Sequence, residues 1–285
     1  MGNNQTNIQW FPGHMKKAER MIGEMIRLVD AVCELRDARI PASSRNPDID
    51  ELTAGKPRLI VLNRADQADP SVTPAWRAHF REQGIPMLEV SSKSGHGVKE
   101  FGPAIRTLLA DELARREAKG QRGRSMRVMV LGIPNVGKSS FINRIAGRKA
   151  AEASDRPGVT RGRQWITVGT GLELLDTPGI LWPRFETPDE GLVLAWTGAI
   201  RDDILDVELV ASQLLERMRA LYPNALKDRY GLEIDEAPGW ELLERCAKRR
   251  GFLVSRGEFD TERMARILLD EFRAGKLGRV TLERP

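Results

Sequence analysis

The octapeptide Gly132-Ile-Pro-Asn-Val-Gly137-Lys138-Ser139 constrains the fold of this chain more than any other feature. It fits G-x-x-x-x-G-K-[ST] at every required place, and it follows Met126-Arg-Val-Met-Val-Leu131, an apolar, β-branched run that reads as a buried strand. A strand that turns through glycines into a helix aims successive backbone N–H groups at one point, and such a nest holds phosphate oxygens. Lys138 would reach the β and γ phosphates and the Ser139 hydroxyl would ligate Mg²⁺, with Asn135, Val136, Gly137 and Ser140 lining the same loop. A plain glycine turn is the competing reading, but it leaves the lysine and the serine without a task.

At 285 residues the chain exceeds a typical single domain, so one α/β domain with a smaller second one is expected. A formal charge of +5 favours a polyanionic partner, although 40 acidic residues beside 45 basic ones make the bias modest. Cys33 and Cys246 form no C-x-x-C pair, so neither a disulfide framework nor a zinc site is implied. No apolar run approaches the length of a membrane helix and the N-terminus lacks a secretory core, so a cytoplasmic protein without membrane contact is expected.

Val29–Leu35, Arg58–Leu62 and Met87–Val90 read as further strands with helical stretches among them. Residues 97–118 read as one helix, running into a charged linker that includes Arg115, Arg116 and Arg124. Gln164–Val168 and Leu172–Leu175 read as a hairpin about Gly169-Thr-Gly171. Strands alternating with helices imply a mainly parallel sheet covered on both faces. Beyond Pro188 the spacing becomes helical, with Val207, Val210, Leu214, Met218 and Leu221 stopped by Tyr222-Pro223. A later helix opens on an Asp260 or Thr261 cap and keeps Met264, Ile267, Leu268 and Phe272 on one side. Its other side carries Arg263, Arg266 and Arg273, which either face solvent or contact RNA phosphates. The boundary is expected at 187/188, with a helical domain over 188–285.

Asn63-Arg64-Ala65-Asp66 ends a strand. The Asp66 carboxylate can accept from the N1–H and exocyclic amine of guanine, a donor pair adenine lacks, while Asn63 braces the loop. Ser91-Ser92-Lys93, after the next strand, can supply a backbone N–H to guanine O6. Asp176-Thr-Pro-Gly179 ends another strand, with a carboxylate suited to Mg²⁺ and a Gly179 amide suited to a γ-phosphate; Thr160 is the second candidate hydroxyl ligand. Any one of these short stations could be an ordinary turn; all five together make a GTP site.

These residues resemble the translation-factor-related GTPases, and the order of stations, base tetrad before phosphate loop, resembles their circularly permuted subgroup, closest to the ribosome biogenesis GTPase A family. Trp10-Phe-Pro-Gly-His14-Met15, the strand exit Asp37-Ala-Arg-Ile-Pro41 and the helical C-terminal part support the likeness. The resemblance implies a circularly permuted P-loop GTPase domain over 1–187 and an rRNA-binding helical domain. It implies a monomer that binds GTP and GDP, engages a large ribosomal subunit precursor late in assembly, and hydrolyses GTP when the particle stimulates it. It also implies His14 as the group that orients the attacking water, since Ile180 follows the switch glycine and cannot hydrogen-bond. Asn135 resembles the asparagine that helps hold K⁺ beside the phosphates in potassium-activated relatives. Arg64 departs from the lysine usual at its place. A GTP-gated RNA-binding switch whose hydrolysis is slow and incidental is the alternative.

Overall fold

The computed structural model describes residues 20–53, 55–121, 123–147, 164–169, 171–179, 181, 185, 187–233, 235–254 and 257–285. They fall into two compact units, one within Gln9–Arg184 together with Glu283–Pro285, the other within Phe185–Leu282.

The first unit is built on six strands: β1 (Ala31–Asp37), β2 (Arg58–Asn63), β3 (Met87–Glu89), β4 (Met126–Leu131), β5 (Gln164–Val168) and β6 (Leu172–Asp176). Their spatial order is β3-β2-β1-β4-β6-β5. All neighbours run parallel except β5 and β6, which pair antiparallel with Val168 opposite Leu172. Gly169 and Gly171 take the left-handed φ values of 52° and 91° that this tight reversal requires. The expected parallel sheet with one hairpin is therefore present, each strand within two residues of its sequence reading.

Side chains alternate across the pleat, so the register defines two faces. Val32, Met129 and Leu175 share one face and pack with Ile22, Met25 and Ile26 from the chain before β1. Ile60 and Leu62 lie on that face too, and pack against Trp76 and Phe80 of α1 (Thr73–Glu82). Between the two clusters stand Glu34 and Arg36, both buried, joined by a 2.7 Å hydrogen bond from Arg36 Nε to Glu34 Oε1. The opposite face packs on α2 (Phe101–Leu108) and α4 (Lys138–Ala146), where the rings of Phe101 and Phe141 meet edge to face at 5.2 Å. Burial of each such side chain contributes about 2–3 kcal/mol.

The helix read over 97–118 is broken. A 3₁₀ turn over Val98–Glu100 precedes α2, and Leu109, at φ −102° and ψ 13°, interrupts the path before α3 (Ala110–Ala118). The break follows from packing: Leu109 is buried, and beyond it Arg116 turns inward to pair with Asp30. The basic stretch is accordingly less of a linker than its composition suggests. Arg115 and Arg116 belong to α3, and Arg127 lies on β4, paired with Glu173 and set 5.1 Å over the Trp165 ring.

The second unit contains α5 (Pro188–Trp196), α6 (Val207–Leu221), α7 (Pro223–Tyr230), α8 (Gly239–Arg250) and α9 (Thr261–Arg273). Asp206 and Asp260 cap α6 and α9 through their carboxylates, each accepting from a backbone amide at 3.0 Å. The apolar stripe read on α6 is buried at Val207, Val210, Leu214 and Met218, and that of α9 at Met264, Leu268 and Phe272. The arginine face of α9 is not uniform. Arg273 turns back to pair with Asp202 and to donate to the carbonyls of Ala195 and Trp196, Arg266 pairs with Glu262, and Arg263 lies 4.3 Å over the Phe252 ring. Arg273 is thus a packing residue rather than a phosphate contact, because a guanidinium with several carbonyl and carboxylate partners is already satisfied.

Candidate guanine-nucleotide site

The C-terminal ends of parallel strands, where chain turns into helix, are where ligands bind in sheets of this kind. Here β4 runs into the phosphate loop, β2 into Asn63-Arg64-Ala65-Asp66 and β6 into Asp176-Thr-Pro-Gly179.

The phosphate loop is shaped by close approaches. A Cβ on Gly132 would lie 2.5 Å from the Leu35 carbonyl oxygen, and one on Gly137 would lie 2.5 Å from Asn63 Nδ2. Gly137, at φ 98°, begins α4, so the first amides of that helix face the loop. Lys138 is buried and donates from Nζ to the carbonyls of Gly132 and Ile133 at 3.0 and 2.8 Å, folded over the cradle its ammonium would share with a phosphate. Burial lowers its pKa, against the opposing pull of Asp176.

Asp176 is 1% exposed, and neither carboxylate oxygen has a hydrogen bond of good geometry. Burial raises its pKa, more than the nearby Lys138, Thr177 amide and Ser139 hydroxyl offset. A buried acid with two unsatisfied oxygens beside a serine hydroxyl fits a hard divalent cation, which takes oxygen ligands from few side chains and keeps several waters. Thr177 Oγ1 donates to the Val130 carbonyl at 2.7 Å, fixing the turn after β6 against β4. A Cβ on Gly179 would meet Pro134 Cα at 2.7 Å and Lys138 Nζ at 3.1 Å, so this glycine lies directly on the phosphate loop.

Asn63 ties the base end to the phosphate end. Its Nδ2 donates to the Val136 carbonyl at 2.8 Å, and its Oδ1 accepts from Ser92 N at 3.1 Å and Ser92 Oγ at 2.8 Å. Arg64 adds a second tie, donating from Nη2 to the Asn135 carbonyl at 3.0 Å. Ala65 N donates to the Val90 carbonyl, while Asp66 is exposed, its carboxylate open to a base. Ser91 N donates to the His96 carbonyl and Ser92 N to Asn63, so both amides are committed, and the Lys93 N–H is the one of that triplet left uncommitted among the described residues. Ser91 and Ser92 therefore brace the loop, and within the Ser91-Ser92-Lys93 triplet the amide open to a guanine O6 is that of Lys93.

Three further residues join the site, although the sequence assigns none of them a role there. Asp37 ends β1 in register with Asn63 and is buried against Arg39 and Arg64. Burial alone would raise its pKa, yet the two guanidinium groups hold it below the usual carboxylate range. Arg144 of α4 donates to the carbonyls of Ser92, at 2.8 Å, and Lys93, and Thr177 pins the switch turn. The strand exit Asp37-Ala-Arg-Ile-Pro41 was a signal for the first. Thr177 stands within Asp176-Thr-Pro-Gly179, and a helix arginine carries no such signal. His14 and Thr160 lie outside the described residues.

Comparison with known proteins agrees with this geometry. Residues 127–223 match the family model described as 50S ribosome-binding GTPase. Ribosome biogenesis GTPase A of Bacillus cereus is 48% identical over 278 residues, covering 98% of this chain and 94% of its own length. The chain belongs to the ribosome biogenesis GTPase A family. The Thermotoga maritima protein of that name is 33% identical over 98% of this chain and 95% of its own. Mitochondrial ribosome-associated GTPase 1 of Bos taurus is 33% identical, covering 97% of this chain and 88% of its own. Among solved structures, GDP-bound YlqF superposes with a TM-score of 0.68 at 29% identity, covering 93% of this chain and 99% of that one. This GTPase thus has the circularly permuted P-loop fold, and GTP hydrolysis with Mg²⁺ is the chemistry of its family.

Proposed function

We propose that this GTPase acts in late assembly of the large ribosomal subunit, binding the precursor particle and its rRNA and hydrolysing GTP to GDP and phosphate when the particle stimulates it. The observation that carries the reading is the tie from Asn63 to both Ser92 and Val136. Base loops bonded to the phosphate loop form one receptor for a ligand that spans both, which is a guanine nucleotide. The relatives named for ribosome biogenesis or ribosome association over nearly their whole length support the choice of partner.

In this reading Asp66 takes the base edge, and Lys138 releases the Gly132 and Ile133 carbonyls to meet the β and γ phosphates. Ser139, Thr160 and Asp176 hold Mg²⁺, and the Gly179 amide meets the γ-phosphate. Mg²⁺ supplies compensation for charge that grows on the phosphate oxygens. Asn135 holds K⁺ beside the same oxygens, and His14 orients the water. Residues 1–187 form the GTPase domain, and 188–285 the rRNA-binding part, with the exposed Lys248 and Arg249 of α8 available to phosphates. In this reading the protein works as a monomer, and in the cytoplasm, as its bacterial relatives suggest; among the described residues no helix is long and apolar enough to cross a membrane.

A second reading, a GTP-gated RNA-binding switch with incidental hydrolysis, is favoured by Ile180, which offers no hydrogen bond to an attacking water. GTP turnover in K⁺ and in Na⁺, with and without large ribosomal subunits, for the wild type and His14→Ala, separates the two. Stimulation by subunits that His14→Ala abolishes without loss of GTP binding supports the first. Binding to subunits without stimulation favours the second.

A further inference from the structure

We propose that Asp37 is a positioning residue of the guanine-nucleotide site, holding Arg64 so that its guanidinium straps the base tetrad to the phosphate loop. The inference rests on the guanine-site reading above and assigns a task to the strand exit Asp37-Ala-Arg-Ile-Pro41.

Asp37 and Asn63 are the last residues of adjacent strands and stand side by side in the register. The Ala38 amide donates to the Asn63 carbonyl at 2.9 Å, so the exit of β1 is bonded to the start of the tetrad. The Asp37 carboxylate is buried and accepts three hydrogen bonds from Arg39: the backbone amide and Nε on Oδ1 at 2.9 and 3.0 Å, and Nη2 on Oδ2 at 2.7 Å. Arg64 Nε comes to 3.6 Å from Oδ2. One anion thus lies between two guanidinium groups. The first forms a bidentate pair and is fixed; the second approaches the same oxygen through Nε and reaches elsewhere with its far nitrogen.

That far nitrogen, Nη2, reaches the Asn135 carbonyl in the phosphate loop. Arg64 and Asn135 are the two non-glycine residues with positive φ among the described residues, at 61° and 57°, and this hydrogen bond joins them. Backbone in the left-handed region persists in such residues only where surroundings over-determine it. Asp37 supplies that determination at the base end by fixing the direction of the Arg64 side chain. The planar fork carries its donors on separate nitrogens in fixed directions, so one edge can face the carboxylate while another faces the carbonyl, whereas an ammonium presents all its donors from a single atom.

The test is a double-mutant cycle on the full chain, reading the dissociation rate of a fluorescent GDP analogue chased with GDP. Asp37→Asn and Arg64→Gln should each speed release by about tenfold, and the double variant should release no faster than the quicker single, as residues sharing one interaction do. Rates that multiply in the double variant, or an unchanged rate in Arg64→Gln, overturn the proposal. Should Asp37→Asn fail to fold, the ¹⁵N-resolved Arg64 Nε–H of the wild type, assigned by its loss in Arg64→Lys, decides: slowed solvent exchange supports the strap, and exchange like that of exposed arginines overturns it. Asp66→Asn runs alongside. Unchanged GDP affinity in that variant overturns the guanine-site reading and the proposal with it, whereas weakened affinity beside a multiplicative cycle overturns the proposal alone.

Discussion

Asn63 and Val136 are 73 residues apart in sequence, yet the Asn63 amide donates to the Val136 carbonyl at 2.8 Å and so makes the base tetrad and the phosphate loop one hydrogen-bonded object. The same side chain receives Ser92 through its oxygen, so every polar atom of the Asn63 amide group works between loops.

Asn63→Ala should therefore harm both binding and stability. It removes three buried hydrogen bonds and leaves the Val136 carbonyl and the Ser92 groups to find new partners. At about 1 kcal/mol for each net bond, a loss on the order of 2–4 kcal/mol in unfolding free energy is expected. GDP affinity should fall at least tenfold. Urea unfolding of the nucleotide-free protein and calorimetric titration with GDP measure the two effects, and a variant that binds GDP like the wild type would refute the bracing role.

Gly179→Ala is expected to separate folding from binding. Its Cβ would lie 2.7 Å from Pro134 Cα, which is backbone and cannot swing aside, so either the switch turn or the phosphate loop must shift. The unit should stay folded by circular dichroism while affinity for a non-hydrolysable GTP analogue drops more than that for GDP, because the glycine lies where the γ-phosphate is expected. Equal loss for both nucleotides would argue against that placement.

Asp176 predicts a proton signature for Mg²⁺. Burial raises its pKa in the nucleotide-free protein, so the carboxyl holds its proton to higher pH than an ordinary aspartate does. A cation binds the anion, so loading Mg²⁺ with nucleotide must release protons, and affinity must rise with pH until the raised pKa of the nucleotide-free protein is passed. Titration calorimetry in buffers of different ionisation enthalpy reads the proton count directly. Asp176→Asn should abolish the Mg²⁺-dependent part of it.

Glu271 predicts acid sensitivity in the helical unit. Arg229, with the hydroxyl of Tyr230 and the charge of Arg250, lowers its pKa from 4.5 to about 2. A depressed carboxyl contributes stability that is complete above its unfolded pKa and is lost as pH falls through the folded value, here between about 4.5 and 2. The shift corresponds to about 3 kcal/mol at most, and solvent around the half-exposed arginines reduces this to about 1–2 kcal/mol. Glu271→Gln should flatten the pH dependence of melting in that window. Unaltered acid sensitivity would show that other carboxylates set it.

Much of this site was legible in the order of residues because its chemistry is local. Gly132, Gly137, Lys138 and Ser139 must stand at fixed spacing for one strand-to-helix turn to cradle phosphate, and Asn63 and Asp66 must share one strand exit. The strands were legible for a similar reason, since β2 and β4 are buried on both faces and so read as near-continuous apolar runs, while β1 carries the buried Glu34, Arg36 and Asp37 among its apolar residues. The break at Leu109 was not, because no glycine or proline marks it; there Leu109 is buried, and Arg116 beyond it pairs with Asp30. Arginines were the poorest guide. Arg64, Arg116, Arg144 and Arg273 all look like solvated surface charge in a linear reading, and each is committed to an anion or carbonyl far away in sequence.

The residues alone therefore pointed to the strand ends proposed here for phosphate and base, and to the inverted order of those stations along the chain. Steric and hydrogen-bonding demands of a single turn act over a few neighbours and leave a fixed pattern. Tertiary structure decided that Asn63, Arg64 and Arg144 cross between loops, that Asp37 sits among them, and that Lys93 rather than Ser91 or Ser92 keeps an open amide. Those outcomes depend on which strands become neighbours and in what register, and a long flexible side chain takes its partner only after the sheet has assembled.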